Sequence, residues 1–147
     1  MLAAALGWVA EEMADARDPW WIIGSAAVAL HGGETSVADI DLLTSERDAR
    51  ALLARHDGAA PPAPSDLFRS RVFGQIGGAA LPVEVMAGFA VRTAAGWREI
   101  LPRSRVPIGG VFVPEAGELL AMLETFGRAK DHSRALSLSR AFGIVAQ

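Results

Sequence analysis

The sequence contains no cysteine. Disulfides, cysteine-ligated zinc and thiol nucleophiles are therefore excluded, and a cytoplasmic address is expected. Long hydrophobic runs are also missing. The longest apolar stretch, Trp20 to Leu30, is interrupted by Gly24 and Ser25 and is too short to span a bilayer, so no membrane partner is expected. The first ten residues are apolar, but they lack a cationic start and Glu11, Glu12 and Asp15 follow at once, which argues against a signal peptide. A basic balance is absent too. The formal net charge is −3, whereas a dedicated duplex-DNA binder usually carries a basic domain. A small molecule or a nucleotide fits this balance better than duplex DNA, although a local basic patch could still touch RNA. No internal repeat and no long linker is visible, so the 147 residues are expected to form one domain. A chain of this length buries about two thirds of its unfolded surface and needs no staple.

What is present alternates between helical and strand-like patterns. Leu2, Leu6, Val9 and Met13 recur at helical spacing. A short strand is expected at Trp20 to Ile23, then a helix from Ala26 to His31 with Ser25 at its N-cap. Val37 to Thr44 is the clearest strand, followed by a helix to about His56 capped by Ser45, with Arg47, Asp48 and Arg50 on its wet side. Asp57 to Ser65 holds three of the eight prolines and is expected as a mobile loop. Arg69 to Ile76 and Ala80 to Met86 read as a hairpin turning at Gly77-Gly78, and Val106 to Val113 as another turning at Gly109-Gly110. Two helices close the chain, about Glu115 to Phe126 and about Ala129 to Phe142, hinged near Gly127. Four to six strands with four or five helices imply a mixed sheet covered by helices, in the α/β or α+β class.

Asp39 and Asp41 stand at i and i+2 of the expected strand, so both carboxylates point to one face while Ile40 and Leu42 point to the other. Two such charges repel, and a hard divalent cation with oxygen ligands is their natural occupant. A polar strand face turned to water is the alternative. Aspartate is a poor strand former, so two in one strand call for a reason. Gly24-Ser25 lies at a strand-to-helix junction, where free N–H groups and the helix dipole favour phosphate, although an ordinary N-cap has the same appearance. Val83 and Val85 flank Glu84, which therefore faces away from both.

Together, Gly24-Ser25, then Asp39-Ile40-Asp41-Leu42, then Val83-Glu84-Val85 resemble the signature of the DNA polymerase β-like nucleotidyltransferase superfamily. The stretch is similar to small bacterial members, among them minimal nucleotidyltransferases and abortive-infection toxins. Gly127-Arg128-Ala129-Lys130-Asp131 resembles a further motif of the toxin-like relatives, although a solvated lysine at a helix start would look alike. The resemblance implies a nucleotidyltransferase-like fold with C-terminal helices. It also implies transfer of a nucleoside monophosphate from a nucleoside triphosphate to a hydroxyl, with pyrophosphate leaving. Asp39, Asp41 and Glu84 would be the catalytic residues and hold Mg2+ or Mn2+, with Glu84 also able to serve as general base. Gly24, Ser25 and Lys130 would bind the nucleotide. The acceptor could be a small molecule, a protein or a tRNA end. A non-catalytic nucleotide-binding module, a homo-oligomer and the toxin half of a toxin–antitoxin pair are all compatible with the sequence.

Other residues carry weaker signals. His31, near the expected nucleotide site, could touch substrate or serve structure, whereas His56 and His132 read as surface residues. Trp20 and Trp21 read as core. Phe89 and Trp97 could line an acceptor pocket or simply be buried, and Arg103 and Arg105 could meet phosphate or water.

Overall fold

The computed structural model describes residues 1–58 and 65–143. The expected proline-rich loop therefore lies largely outside the described residues. Among the described residues five helices and nine strands follow one another, more strands than the sequence patterning predicts. They are α1 (Leu2–Glu12), β1 (Trp21–Ile23), α2 (Gly24–Leu30), β2 (Ile40–Leu43) and α3 (Glu46–His56). Then come β3 (Phe68–Arg69), β4 (Val72–Ile76), β5 (Val83–Ala87), β6 (Ala90–Thr93) and β7 (Gly96–Glu99). The hairpin β8 (Val106–Ile108) and β9 (Val111–Val113) leads to α4 (Ala116–Phe126) and α5 (Ala129–Phe142).

The main sheet has the order β1-β2-β5-β4. β1 runs antiparallel to β2, β2 parallel to β5, and β4 antiparallel to β5. Strand alternation sorts its side chains into two faces. Ile22, Ile40, Leu42, Val83 and Val85 join one apolar cluster, which also takes in Ala5, Leu6 and Val9 of α1, Val28 of α2 and Leu52 of α3. Trp21, Ile23, Leu43 and Met86 point the other way, into a second cluster with Phe89, Val91, Met122 and Phe126. Both tryptophans of the pair at 20 and 21 are thus core residues, one on each side. A small sheet of order β3-β6-β7 supplies part of the second cluster, through Val91 and the adjoining Phe68.

Local chemistry explains the element ends. Ser45 caps α3 as expected, accepting from the Asp48 amide. Gly127 adopts φ 70°, a left-handed conformation that closes α4 and lets α5 fold back. α2 begins one residue after β1, so Ile23 is its N-cap and Ser25 lies inside its first turn, not at the cap. Asp48 corrects another expectation: it is buried, and its carboxylate accepts from the backbone amides of Arg17 (3.1 Å) and Asp18 (2.8 Å). It ties the segment after α1 to the start of α3. Asp48→Ala strands both amides and should cost about 2–3 kcal/mol. Thermal unfolding that shifts down by roughly 5–10 °C is the expected result, and an unchanged Tm would show the tie to be dispensable. No helix among the described residues is long and apolar enough to cross a membrane.

Candidate active site

The site lies on the second face of the main sheet, at the edge of its apolar cluster. The parallel pairing of β2 with β5 sets Asp41 opposite Glu84, and the antiparallel pairing with β1 sets Ile23 on the other side of Asp41. Asp39 precedes β2 by one residue and, two positions before Asp41, points the same way. One carboxylate oxygen from each of Asp39, Asp41 and Glu84 lies within 4.8 Å of the others. All three residues are half-buried. Neighbouring strands hold the carboxylates together, so the sheet register itself keeps like charges close.

The electrostatics reflect this crowding. The Asp41 carboxyl is pushed well above its usual range, first by burial, then by the charges of Asp39 and Glu84, with Arg134 pulling the other way. In isolation the group therefore favours a proton. A divalent cation would compensate the same repulsion, and three carboxylates form the hard oxygen donor set that Mg2+ or Mn2+ prefers. The residues present fit such an ion.

Gly24 completes the floor. It holds φ +69°, and a β-carbon there would lie 2.5 Å from Oδ2 of Asp41. Only glycine allows the turn from β1 into α2 to pass this close to the carboxylate. Ser25 is buried and does not line the cleft.

The cleft is about 230 Å3 in volume and bounded by Gly24, Asp41, Glu84 and Arg69, with an apolar wall of Phe68, Phe73, Met86, Phe89 and Phe126. Phe68, Phe89 and Phe126 pack edge-to-face or tilted, with centroids 5.1–5.9 Å apart. Such a wall gives the cleft one apolar, aromatic side. The remaining side comes from one face of α5, where Arg128, Asp131 and Arg134 follow at three-residue intervals. Asp131 is fully buried and accepts from Nε (2.6 Å) and Nη2 (2.9 Å) of Arg128, with Nη1 of Arg134 at 3.8 Å. The carboxylate fixes two cations opposite the acidic triad.

Lys130 is exposed and is not among the residues lining the cleft. Its side chain leaves the helix start toward solvent, whereas those of Asp131 and Arg134 reach the cleft. The sequence reading missed Arg128, Asp131 and Arg134 as a set, although their i, i+3, i+6 spacing was available. His31 faces elsewhere, with Nε2 2.8 Å from the carbonyl of Pro114. His56 pairs with Glu12, and His132 is exposed. Phe89 lines the cleft and is buried, whereas Trp97 is exposed beneath the Arg69 guanidinium. Arg105 lies over the ring of Phe112, and Arg103 is exposed in the segment before β8.

No protein-family model and no curated protein matches the sequence. The fold does match solved structures. A Thermotoga maritima protein assigned as a nucleotidyltransferase superposes with a TM-score of 0.67 at 20% identity, over 94% of this chain and 90% of the other. The lincosamide antibiotic adenylyltransferase LnuA, solved with lincomycin, gives 0.62 at 11% identity over 96% of both chains. The enzyme ANT(2″)-Ia in complex with adenylyl-2″-tobramycin gives 0.60 at 15% identity, over 96% of this chain and 89% of the other. At such identities the likeness is one of architecture, and the architecture of this chain is the nucleotidyltransferase fold.

Proposed function

We propose that the chain is a metal-dependent nucleotidyltransferase, moving a nucleoside monophosphate from a nucleoside triphosphate to a hydroxyl acceptor and releasing pyrophosphate. The observation that carries this reading is the convergence of the Asp39, Asp41 and Glu84 carboxylates beside a cleft that Asp41 and Glu84 line together with Arg128 and Arg134. Anionic and cationic walls across a small cavity suit a cation and a triphosphate together. The shared fold with antibiotic adenylyltransferases supports it.

Asp39, Asp41 and Glu84 would hold the divalent ion. Such an ion supplies charge neutralisation at the phosphates and acidifies an acceptor hydroxyl. Gly24 brings backbone close to Asp41 and leaves the phosphates room to approach. The acceptor oxygen bonds to the α-phosphorus while the bond to the α,β-bridging oxygen breaks. Glu84 would complete the ligands of that ion or take the hydroxyl proton. Arg134, close enough to Asp41 to pull its pKa down, meets charge building on the departing pyrophosphate. Arg128, held by Asp131, is the second such cation. We assign this role to the two arginines in preference to the exposed Lys130.

Incubation with each radiolabelled nucleoside triphosphate, Mg2+ and cell extract tests the reading. A labelled product with matching pyrophosphate, both lost in EDTA, is expected. Triphosphate left intact under every condition would refute it. Arg134→Ala should lower kcat/KM for the triphosphate by roughly 10²-fold, while Lys130→Ala changes it little. Equal losses in the two variants would return the role to the lysine.

A further inference from the structure

Charge is unevenly spread along the chain. Residues 1–58 carry ten acidic side chains against four arginines, whereas residues 65–105 carry six arginines against three acidic side chains. The second segment contains the whole β3-β6-β7 sheet. Its register places Arg69, Ala90 and Glu99 in one row across the strands, and Arg92 opposite Trp97 two rows on. Rows two residues apart along β6 share a face. That face is turned away from the apolar cluster that Val91 enters.

Three features of this face point to a ligand. Trp97 is 38% exposed, the one tryptophan of four that the fold leaves open. The Arg69 guanidinium lies 4.3 Å from its ring centroid, in a preformed cation–π stack. Arg69 and Arg92 make no ion pair among the described residues, while Glu99 is already taken up by Arg71 at 3.3 Å. The face therefore offers two cations without a carboxylate partner among the described residues, one already stacked on the exposed indole. Arg69 lies on the edge strand β3 and also lines the cleft, so it links this face to the carboxylate site.

We propose that this face binds the single-stranded 3′ end of an RNA and leads its terminal hydroxyl toward the carboxylate cleft. Arginines meet backbone phosphates, and an exposed tryptophan stacks an unpaired base. Duplex ends keep their bases stacked and hidden, whereas single-stranded RNA ends present both a base face and a hydroxyl. The part about the cleft rests on the nucleotidyl-transfer reading; the binding itself does not.

The test is fluorescence anisotropy with a 5′-labelled 12-nucleotide oligoadenylate, without triphosphate. Saturable binding at low salt is expected, weakened by salt. Trp97→Ala should weaken it by about 5- to 100-fold. Arg92→Ala should flatten the salt dependence by about 0.7 in the log–log slope. Both residues are exposed, so circular dichroism should match the parent, and Arg92→Lys should restore most of the binding. Absence of binding, a Trp97→Ala affinity equal to the parent's, or a blunt duplex bound as tightly as the single strand would each overturn the proposal. So would a concentration-dependent dimer that Trp97→Ala dissolves, because the face would then belong to a second copy. Binding that needs Trp97 but yields no labelled RNA with any triphosphate would leave the surface standing and overturn its role in leading an acceptor hydroxyl to the cleft. Transfer to a small acceptor without RNA binding would overturn the surface and leave nucleotidyl transfer standing.

Discussion

Asp41→Asn should reduce nucleotidyl transfer by at least about a thousandfold, and at the same time stabilise the metal-free protein at neutral pH. The two effects have one cause. Asp41 sits on a central strand with Glu84 across the ladder and Asp39 two residues before it. Burial and these two charges hold its carboxyl well above the usual aspartate range. The folded chain therefore holds this proton more tightly than the unfolded chain does. No penalty exists below the unfolded pKa. As pH rises past it, the unfolded state ionises first and is favoured, and the penalty is complete once pH exceeds the folded pKa. Asparagine keeps the shape and removes the charge, so the variant should escape this loss. Thermal melts in EDTA across pH 4 to pH 8, read beside transfer rates in Mg2+, check both halves. Parent-like transfer by the variant would remove Asp41 from the chemistry. A metal-free variant that loses stability toward pH 8 as steeply as the parent would show that the repulsion is not felt.

Gly24→Ala should be the next most damaging change, although it adds one methyl group. The new β-carbon would sit 2.5 Å from Oδ2 of Asp41, and the backbone would have to keep φ +69°. Left-handed strain and the clash together should cost about 2–4 kcal/mol, a fall in Tm of roughly 5–15 °C. Relief requires the carboxylate or the strand-to-helix turn to move. A misplacement of about 1 Å in a reacting constellation costs about 10²-fold in rate. The contact is specific, so a double-mutant cycle should expose it. In an Asp41→Ala background the added methyl finds space, and Gly24→Ala should then cost only the backbone strain. Additive stability losses in the two backgrounds would show that the close approach to Asp41 is not the constraint.

The parts of this site that were legible in the sequence are those set by local periodicity. Asp39 and Asp41 could be placed on one face because Ile40 and Leu42 alternate with them, and Glu84 could be oriented by its flanking valines. The nucleotidyltransferase-like fold was likewise legible, from motifs that lie within about sixty residues. Three things were not. The pairing of β2 with β5, which sets Asp41 against Glu84, is a non-local contact that no local pattern encodes. β6 and β7 escaped notice because Gly96 to Glu99 is exposed throughout and shows no alternation. The motif likeness at the start of α5 drew attention to Lys130, whereas the side chains that border the cleft are those of Arg128, Asp131 and Arg134, brought there by the packing of α5 against the sheet. Asp48 failed for a related reason. A charged residue in the first turn of a helix looks solvated until the tertiary fold brings two backbone amides to it.

Titration of Mn2+ into the metal-free protein, followed by electron paramagnetic resonance, addresses the claim on which the rest depends. The carboxylate cluster should give saturable Mn2+ binding that tightens when a nucleoside triphosphate is added and disappears in Asp41→Asn. Mn2+ uptake that is equal in parent and variant, or indifferent to the triphosphate, would contradict it.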